Sequence, residues 1–252
     1  MLDAMLWGLV QGLTEFLPIS SSGHLVLVPA FLGVEPPDLA TSALLHLGTL
    51  VAVLAYYRKD LVKLVHFRRD PEARHILWLL IVGTIPATIG IVLTDQLSAF
   101  QESTTAVAIA LLVTGAVLLV SGSITRRART LEGATVSDAL LVGAAQATAL
   151  LPGISRSGMT ITAGLGRGLS GVEAARFSFL LAVPAIAGGG IIETVDLLDN
   201  GGIPSTVWLG VLTAAVSGYL AIAFLIKTLV RIGLRPFAVY CFVVGILALI
   251  LL

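Results

Sequence analysis

The chain alternates long apolar runs with short polar linkers. Six runs approach or exceed the roughly 20 residues that a helix needs to cross a bilayer, and they lack the alternation of a strand. Two other apolar stretches, residues 2–33 and 136–168, are interrupted by polar centres that contain proline and glycine. Such a broken stretch is typical of a re-entrant helical hairpin. The six predicted spans are residues 38–57, 76–94, 104–122, 173–192, 206–228 and 236–252.

Composition puts this pattern in a membrane. Hydrophobic residues make up 57% of the 252 residues and charged residues only 12%, whereas soluble domains carry about 25% charged residues. The mean hydropathy is +1.00. We therefore predict one all-α integral membrane domain over residues 1–252. Its partner is the bilayer, no nucleic-acid partner is expected, and the lone Cys241 excludes an intrachain disulfide.

The charges of the linkers predict an orientation. Lysine and arginine concentrate in the linkers 58–75, 123–134 and 227–235. In the linkers near 95–102 and 193–199, all charged residues are acidic. The positive-inside rule makes the first three linkers cytoplasmic and the acidic ones external. On this path the first hairpin enters from outside, the second enters from the cytoplasm, and both termini are external.

The two broken stretches also resemble each other. Residues 8–24, "GLVQGLTEFLPISSSGH", align without a gap on residues 143–159, "GAAQATALLPGISRSGM", with six identities in 17 positions. Each copy precedes three predicted spans, and an odd number of spans makes the two halves enter the membrane in opposite senses. We therefore predict an inverted-topology repeat, about 1–122 and about 136–252, whose hairpin tips meet near the midplane.

The two tips differ in their chemistry. The first carries Glu15 and His24, and the second carries Arg156 where the first has Ser21. Charged groups are costly inside a bilayer, so these residues are candidates for function. A guanidinium beside hydroxyls and a helix start suits phosphate binding, and hydroxyls near an imidazole suit nucleophilic attack. The polar residues that the tips would bring together are Glu15, Ser20, Ser21, Ser22, His24, Ser155, Arg156, Ser157 and Thr160.

Each candidate also has a structural interpretation. The serines that precede each second arm are either phosphate ligands or helix N-caps. Glu15 and Arg156 form either an active site or a purely structural ion pair, and His24 either acts chemically or bonds to the backbone. His46, in "LLHLGT", lies in a predicted span without an obvious partner motif.

The motifs "QGLTEFLPISSSGHL" and "LPGISRSGMTI" closely resemble those of the undecaprenyl-diphosphatase family, also called bacitracin-resistance proteins (BacA or UppP). "RFSFLLAVPA" at 176–185 resembles a third shared stretch, and the resemblance covers nearly the whole chain. It implies a cell-membrane phosphatase that hydrolyses undecaprenyl or another polyprenyl diphosphate to the monophosphate and inorganic phosphate. That step recycles the lipid carrier for cell-wall glycan synthesis, with the headgroup on the external face.

The resemblance also implies roles for single residues. It makes Glu15 the motif glutamate, Ser21 the nucleophile, His24 its neighbour and Arg156 the phosphate-binding arginine. A divalent cation such as Mg²⁺ or Ca²⁺ is implied, held by Glu15 and the diphosphate. Many relatives carry a second glutamate where this chain has Gln11, so the position of the cation stays open. The other expected phosphate-binding residues are Gln11, Ser20, Ser22, Ser155, Ser157 and Thr160.

Two alternatives remain open at this point. Either Ser21 attacks the phosphorus with His24 as base or leaving-group acid, or water attacks with His24 as base. Transport is the rival function, because inverted repeats with broken helices are a transporter plan, and the same site could carry a lipid phosphate or an anion. The sequence sets neither the prenyl chain length nor the oligomeric state, for which a homodimer is one expectation.

Overall fold

The structure is a computed structural model that describes residues 2–91, 103–122, 128–199 and 207–252. These residues form eleven α-helices, one short 3₁₀ helix at Leu131–Gly133 and no strand. The helices are α1 Leu2–Phe16, α2 Ser21–Leu32, α3 Leu39–Tyr56, α4 Arg58–Val65, α5 Pro71–Ile91, α6 Thr104–Ser121, α7 Val136–Thr148, α8 Arg156–Gly166, α9 Gly171–Asp199, α10 Val207–Arg231 and α11 Arg235–Leu251.

Each broken apolar stretch folds as two short helices around a turn. Residues 2–33 give α1 and α2, and residues 136–168 give α7 and α8. At each break a serine caps the following helix: the Ser20 hydroxyl accepts a hydrogen bond from Gly23 N at 3.2 Å, and the Ser155 hydroxyl accepts one from Gly158 N at 3.1 Å. Capping satisfies backbone N–H groups that a helix start leaves free.

The two breaks differ in their backbone conformation. Ser20 has a φ of 70°, the only positive φ of a non-glycine residue in the described chain, whereas its counterpart Ser155 has a φ of −81°. A left-handed conformation costs an L-residue about 1–2 kcal/mol. Such strain persists only where the surroundings fix it, and it concentrates at functional sites. The turn before Ser21 is therefore held in place by contacts outside itself.

The apolar helices expose their hydrophobic side chains. By length and composition, three helical segments in the described part of the chain could cross a membrane: Thr104–Ser121, Gly171–Gly188 and Val207–Arg231. Large apolar residues on the outer surface include Trp78 and Trp208, each 55% exposed. Soluble proteins rarely expose apolar surface on this scale. The fold is that of an all-helical membrane protein.

Helices from the two halves of the chain pack against one another. Helix α1 lies along α10, α7 lies along α5, α3 packs on α9, and α6 packs on α11. Glycine permits two close approaches of helix backbones. An added Cβ at Gly8 would lie 2.2 Å from the Gly210 carbonyl oxygen, and one at Gly143 would lie 2.2 Å from that of Gly83. This packing places the helix break of each hairpin in the interior of the protein.

Several boundaries differ from those predicted by hydropathy. Part of the basic linker 58–75 forms α4, and α9 continues to Asp199 through residues that were assigned to an external linker. Polar residues extend a helix without crossing the apolar layer, so hydropathy alone misplaces such ends. Asp95, Glu102, Arg126 and Arg127, which entered the orientation argument, lie outside the described residues.

A set of ion pairs joins the second half to the linkers. Arg176 on α9 donates to Asp60 on α4 at 2.8 Å, to Glu132 at 2.8 Å and to Glu173 at 3.0 Å. Arg176 therefore ties α4, the 3₁₀ helix and α9 together.

A second set of ion pairs surrounds the buried Asp138. Its carboxylate accepts a hydrogen bond from Arg129 Nη2 at 2.9 Å and another from Arg167 Nε. Burial acts to raise the pKa of Asp138, but hydrogen bonds from Thr135 and the two guanidinium groups outweigh it and lower the pKa to about 2.

Candidate active site

Glu15 is the centre of a polar cluster between the two hairpin tips. Its Oε2 accepts a hydrogen bond from Gln11 Nε2 at 2.9 Å and one from the Ser21 hydroxyl at 2.5 Å. Its Oε1 accepts a hydrogen bond from the Arg156 guanidinium and forms an ion pair with it. The predicted meeting of the acidic tip and the cationic tip is therefore present in the structure.

The local structure explains why these four residues converge. Gln11 and Glu15 are four residues apart on α1 and so share one face of that helix. Ser21 is the first residue of α2, and Arg156 is the first residue of α8. The two helix starts thus direct their first side chains toward the last turn of α1. Gln11 is fully buried and Glu15 is 8% exposed.

Two buried polar atoms of this cluster have no hydrogen-bond partner among the described residues. They are Oε1 of Gln11, an acceptor, and Nη1 of Arg156, a donor. A buried polar atom without a partner costs about 1–3 kcal/mol, so native proteins seldom keep one without a reason. An anion beside Arg156 and a cation beside Gln11 would satisfy the two atoms.

His46 on α3 faces the same carboxylate. Its Nε2 lies 3.7 Å from Glu15 Oε2, and its side chain is 34% exposed. Its Nδ1 lies 2.8 Å from the carbonyl oxygen of Ser42, and because a carbonyl only accepts, Nδ1 carries the proton. No sequence motif indicates a partner for His46, and the packing of α3 is what brings it to Glu15.

His24 lies in a different environment. Its Nδ1 donates to the carbonyl oxygen of Ser20 at 2.7 Å, so its Nε2 accepts from the Tyr240 hydroxyl at 2.8 Å. The two rings are also stacked, with centroids 5.6 Å apart. His24 is buried at 4% exposure. Both of its nitrogens are therefore engaged, and it supports the strained Ser20 turn. No sequence pattern pointed to Tyr240, which lies 216 residues away.

The remaining serines connect the two tips. The Ser20 hydroxyl lies 3.5 Å from the carbonyl oxygen of Ile154, and the Ser157 hydroxyl donates to that of Leu17 at 3.1 Å. Within the tips, Ser20 lies 3.3 Å from Ser22, and Ser155 lies 3.2 Å from Ser157. Each hairpin thus bonds to the backbone of the other through a serine, although the two serines are not equivalent in the alignment of the two copies.

Two threonines hydrogen-bond to the backbone of the second tip. Thr160 donates to the carbonyl oxygen of Arg156 at 2.7 Å and lies 2.6 Å from the Ser178 hydroxyl. Thr114 on α6 donates to the Gly153 carbonyl at 3.0 Å and accepts from Ser155 N at 3.1 Å. These contacts fix the start of α8, from which Arg156 projects. Thr114 had no sequence signal beyond being a hydroxyl in an apolar run.

The structure thus divides the predicted site residues into two sets. Gln11, Glu15, Ser21 and Arg156 form the cluster, and His46 adjoins it. The second set makes caps, bonds between the tips, backbone contacts or, for Ser22, a contact with the Ser20 hydroxyl. It consists of Ser20, Ser22, His24, Ser155, Ser157 and Thr160.

Comparison of the sequence with known proteins identifies the family of this chain. The family model described as "Bacitracin resistance protein BacA" matches residues 4–247. The chain belongs to the BacA family. The match includes both hairpins and all five residues in and beside the Glu15 cluster.

Individual relatives agree with this assignment over their full lengths. A protein of Methanosphaera stadtmanae is 43% identical over 99% of this chain and 97% of its own length. One of Alcanivorax borkumensis is 42% identical over 97% and 96%, and one of Gloeobacter violaceus is 44% identical over 99% and 91%. All three are named undecaprenyl-diphosphatase. The chain is therefore similar to these three proteins over 91–97% of the length of each.

Proposed function

We propose that this BacA-family chain is a membrane phosphatase that hydrolyses undecaprenyl diphosphate, or a similar polyprenyl diphosphate, to the monophosphate and inorganic phosphate. The contact of Ser21, Glu15 and Arg156 carries the proposal, because it joins a hydroxyl, a proton acceptor and a phosphate-binding cation. Relatives at 42–44% identity bear the name of this activity. The product is the lipid carrier that cell-wall glycan synthesis consumes.

The geometry favours Ser21 as the nucleophile and Glu15 as its base. The Ser21 proton passes to Glu15 Oε2, which already accepts it at 2.5 Å. The Ser21 oxygen bonds to the terminal phosphorus, the bond from that phosphorus to the bridging oxygen breaks, and the prenyl monophosphate leaves. A water oxygen then bonds to the phosphorus of the phosphoserine as the bond from phosphorus to the Ser21 oxygen breaks. Inorganic phosphate leaves, and Glu15 returns the proton to Ser21.

Arg156 supplies the charge stabilisation in this mechanism. One of its terminal nitrogens binds Glu15. The other is buried, has no partner in the part of the chain that the structure describes, and is available for a phosphoryl oxygen. Phosphoryl transfer depends mainly on positioning and on stabilising such oxygens. In this mechanism His24 only holds the Ser20 turn. In the alternative route, water attacks the phosphorus directly and His24 acts as the base.

A divalent cation fits the donor atoms of the cluster. Glu15 supplies a carboxylate, and Gln11 supplies a buried carbonyl oxygen that no described residue contacts by a hydrogen bond. Both are oxygen ligands that Mg²⁺ and Ca²⁺ accept. Among the described residues no group of three or more His, Cys, Asp or Glu side chains could hold a metal. The diphosphate oxygens would complete the set, and the cation would neutralise charge as the P–O bond breaks.

We further propose the topology that brings the substrate to this site. The chain is one multi-pass domain of the cell membrane, with six spans, two re-entrant hairpins and inverted repeats at about 1–122 and about 136–252. The equivalent packing of α1 on α10 and of α7 on α5 supports this arrangement. The site opens to the external face, and a homodimer is the proposed assembly.

Phosphate release by the purified protein tests the function. The protein in detergent should release phosphate from a short-chain prenyl diphosphate, and Glu15→Gln should abolish the release. Transport of a lipid phosphate or an anion is the second candidate, since the broken helices also suit a transporter. A transporter needs two compartments, so vectorial movement in liposomes without phosphate release in detergent would contradict the phosphatase proposal.

A further inference from the structure

One turn of α9 contacts both hairpins. Residues 176–179, "RFSF", begin the stretch that resembles a third family motif, and the proposed mechanism assigns them no role. Arg176 and Phe179 are three residues apart and share one face of the helix, whereas Ser178 projects to another side. Ser178 and Phe179 are each only 1% exposed. The turn therefore reaches two neighbouring elements at once.

Ser178 is linked to the first residue of α8. Thr160 donates its only hydroxyl proton to the carbonyl oxygen of Arg156 at 2.7 Å, so Ser178 is the donor in its 2.6 Å contact with Thr160. The first of these bonds lies within α8, and the second joins α8 to α9. Because α8 begins at Arg156, the bond from Ser178 fixes the turn from which the guanidinium projects.

Phe179 is linked to the last turn of α1, in the other hairpin. Its ring meets the ring of Phe16 edge-on, with centroids 5.3 Å apart. Phe16 is fully buried, and a Cβ added at Gly218 on α10 would lie only 3.0 Å from the same ring. Close-packed interiors transmit displacements. The position of Phe179 therefore sets the rotation of the last turn of α1, which also carries Glu15.

Arg176 fixes the turn itself. Its guanidinium binds Asp60 on α4 and two further carboxylates, and its side chain is only 16% exposed. Tyr57, which precedes α4, packs its ring against Phe179 with centroids 6.1 Å apart. Arg176 and Phe179 thus contact the same short segment in two different ways. These contacts keep the turn from sliding or rotating relative to α4.

We propose that this turn, residues 176–179, positions both members of the Glu15–Arg156 pair. Ser178 positions Arg156 through the start of α8. Phe179 positions Glu15 through the end of α1. The inference deepens the proposed function and rests on it, because it concerns how the reacting groups are held. A displacement of about 1 Å in such groups costs about 10²-fold in rate, so one shared support for the carboxylate and the guanidinium matters for catalysis.

Kinetics of variants in this turn test the inference. The full chain in detergent is assayed for phosphate release from a short-chain prenyl diphosphate. Ser178→Ala and Phe179→Leu should each lower kcat about 10- to 100-fold with little change in KM, because misplaced groups lose contacts to the transition state first. The affinity for vanadate, which imitates the five-coordinate phosphorus of that state, should fall by a similar factor.

Phe177→Leu is the matched control. Phe177 lies in the same turn and is fully buried, but no contact with another aromatic ring is found for it in the described part of the chain. The change should lower the thermal midpoint as Phe179→Leu does, because both remove a buried ring. It should leave kcat and the vanadate affinity unchanged, which a merely structural role of Phe179 would not predict.

Arg176 is tested through its charge. Arg176→Gln should lower kcat as Ser178→Ala does, and Arg176→Lys should recover part of the loss, because an ammonium still pairs with a carboxylate. Arg129→Gln is the control, since that guanidinium pairs with Asp138 and contacts no residue of the turn. An equal loss of kcat in Arg129→Gln and Arg176→Gln would contradict the role of Arg176.

The remaining outcomes separate the inference from the proposed function. Unchanged kcat in Ser178→Ala and Phe179→Leu, or an equal loss in Phe177→Leu, would overturn the inference and leave the phosphatase proposal intact. A wild type that releases no phosphate would remove the proposed function, and vanadate binding would then decide the inference. It stands if Phe179→Leu weakens vanadate binding and Phe177→Leu does not, and it falls if the wild type binds no vanadate.

Discussion

The Arg156 guanidinium binds the Glu15 carboxylate although the two residues are 141 positions apart in the chain. Each side chain comes from a different broken stretch, and each lies next to a helix break. Their side chains are 16% and 6% exposed, respectively. A buried ion pair is seldom kept for stability alone, since its desolvation offsets much of its attraction. A site that binds a charged substrate gives both residues a use.

Substitution of Arg156 should therefore affect catalysis much more than folding. We expect Arg156→Ala to lower kcat/KM for a prenyl diphosphate about 10³-fold or more, because cations of this kind contribute 10³–10⁵ in phosphoryl transfer. Arg156→Lys should recover only part of the loss, since one ammonium cannot both bind Glu15 and present a second donor. Equal activity of Arg156→Ala and the wild type, measured by phosphate release, would contradict this assignment.

Ser21→Ala should abolish turnover if the covalent route operates. The hydroxyl lies 2.5 Å from its proton acceptor, and alanine removes the nucleophile without removing Glu15 or Arg156. Acid quenching of the wild type with ³²P-labelled substrate should trap a phosphoserine, identified by mass spectrometry at Ser21. Thr88→Ala is the control, because that hydroxyl is exposed and bonds only to the Ile85 carbonyl. Full activity in Ser21→Ala would favour direct attack by water.

Tyr240→Phe tests how the Ser20 turn is held. The change removes the hydroxyl that donates to His24 but keeps the stacked ring. The buried imidazole nitrogen loses its partner, which costs about 1–3 kcal/mol. We expect a lower thermal midpoint in detergent and a lower kcat. Tyr219→Phe, at a 39% exposed ring that packs on Tyr56, should change neither. Identical behaviour of the two variants would show that the His24 contact has no such role.

Asp138, in the first turn of α7, makes stability depend on pH. Its folded pKa of about 2 lies below the ordinary aspartate value, so its contribution is present above about pH 4 and is lost as the pH falls toward 2. Arg129 and Arg167 are 37% and 41% exposed, so screening reduces the contribution to about 1–2 kcal/mol.

Unfolding of Asp138→Asn beside the wild type measures this contribution. The variant should unfold at a lower temperature at pH 7, and the difference between the two proteins should shrink steadily between pH 4 and pH 2. A difference that stays constant over this range would show that the carboxylate charge of Asp138 does not stabilise the folded protein.

The sequence predicted the parts of the fold that have local causes. Proline, glycine and serine interrupt two apolar stretches, and both interruptions are helix breaks in the structure. The gapless alignment of the two copies predicted the meeting of Glu15 with Arg156, because equivalent tips of a pseudo-symmetric pair lie close together. The N-cap interpretation of Ser20 and Ser155 is also confirmed.

Other features depended on packing and could not be predicted. His46 and Tyr240 are single polar residues in long apolar runs, and their partners lie on other helices. Helix α4 and the end of α9 carry many polar residues, so hydropathy assigned them to linkers. Helix formation follows backbone propensity and tertiary contacts as well as apolar content.

The reciprocal bonds between the tips, from Ser20 to the Ile154 carbonyl and from Ser157 to that of Leu17, have a consequence for biosynthesis. The ribosome completes the first hairpin, α1 and α2, long before it makes the second, α7 and α8. Until residue 157 has entered the bilayer, Glu15 lacks its counter-charge and the Leu17 carbonyl lacks its donor. The first half therefore cannot complete its contacts before the second half is made. A chain truncated between the two halves would leave the Glu15 carboxylate without the ion pair that Arg156 provides, which membrane quality control could recognise.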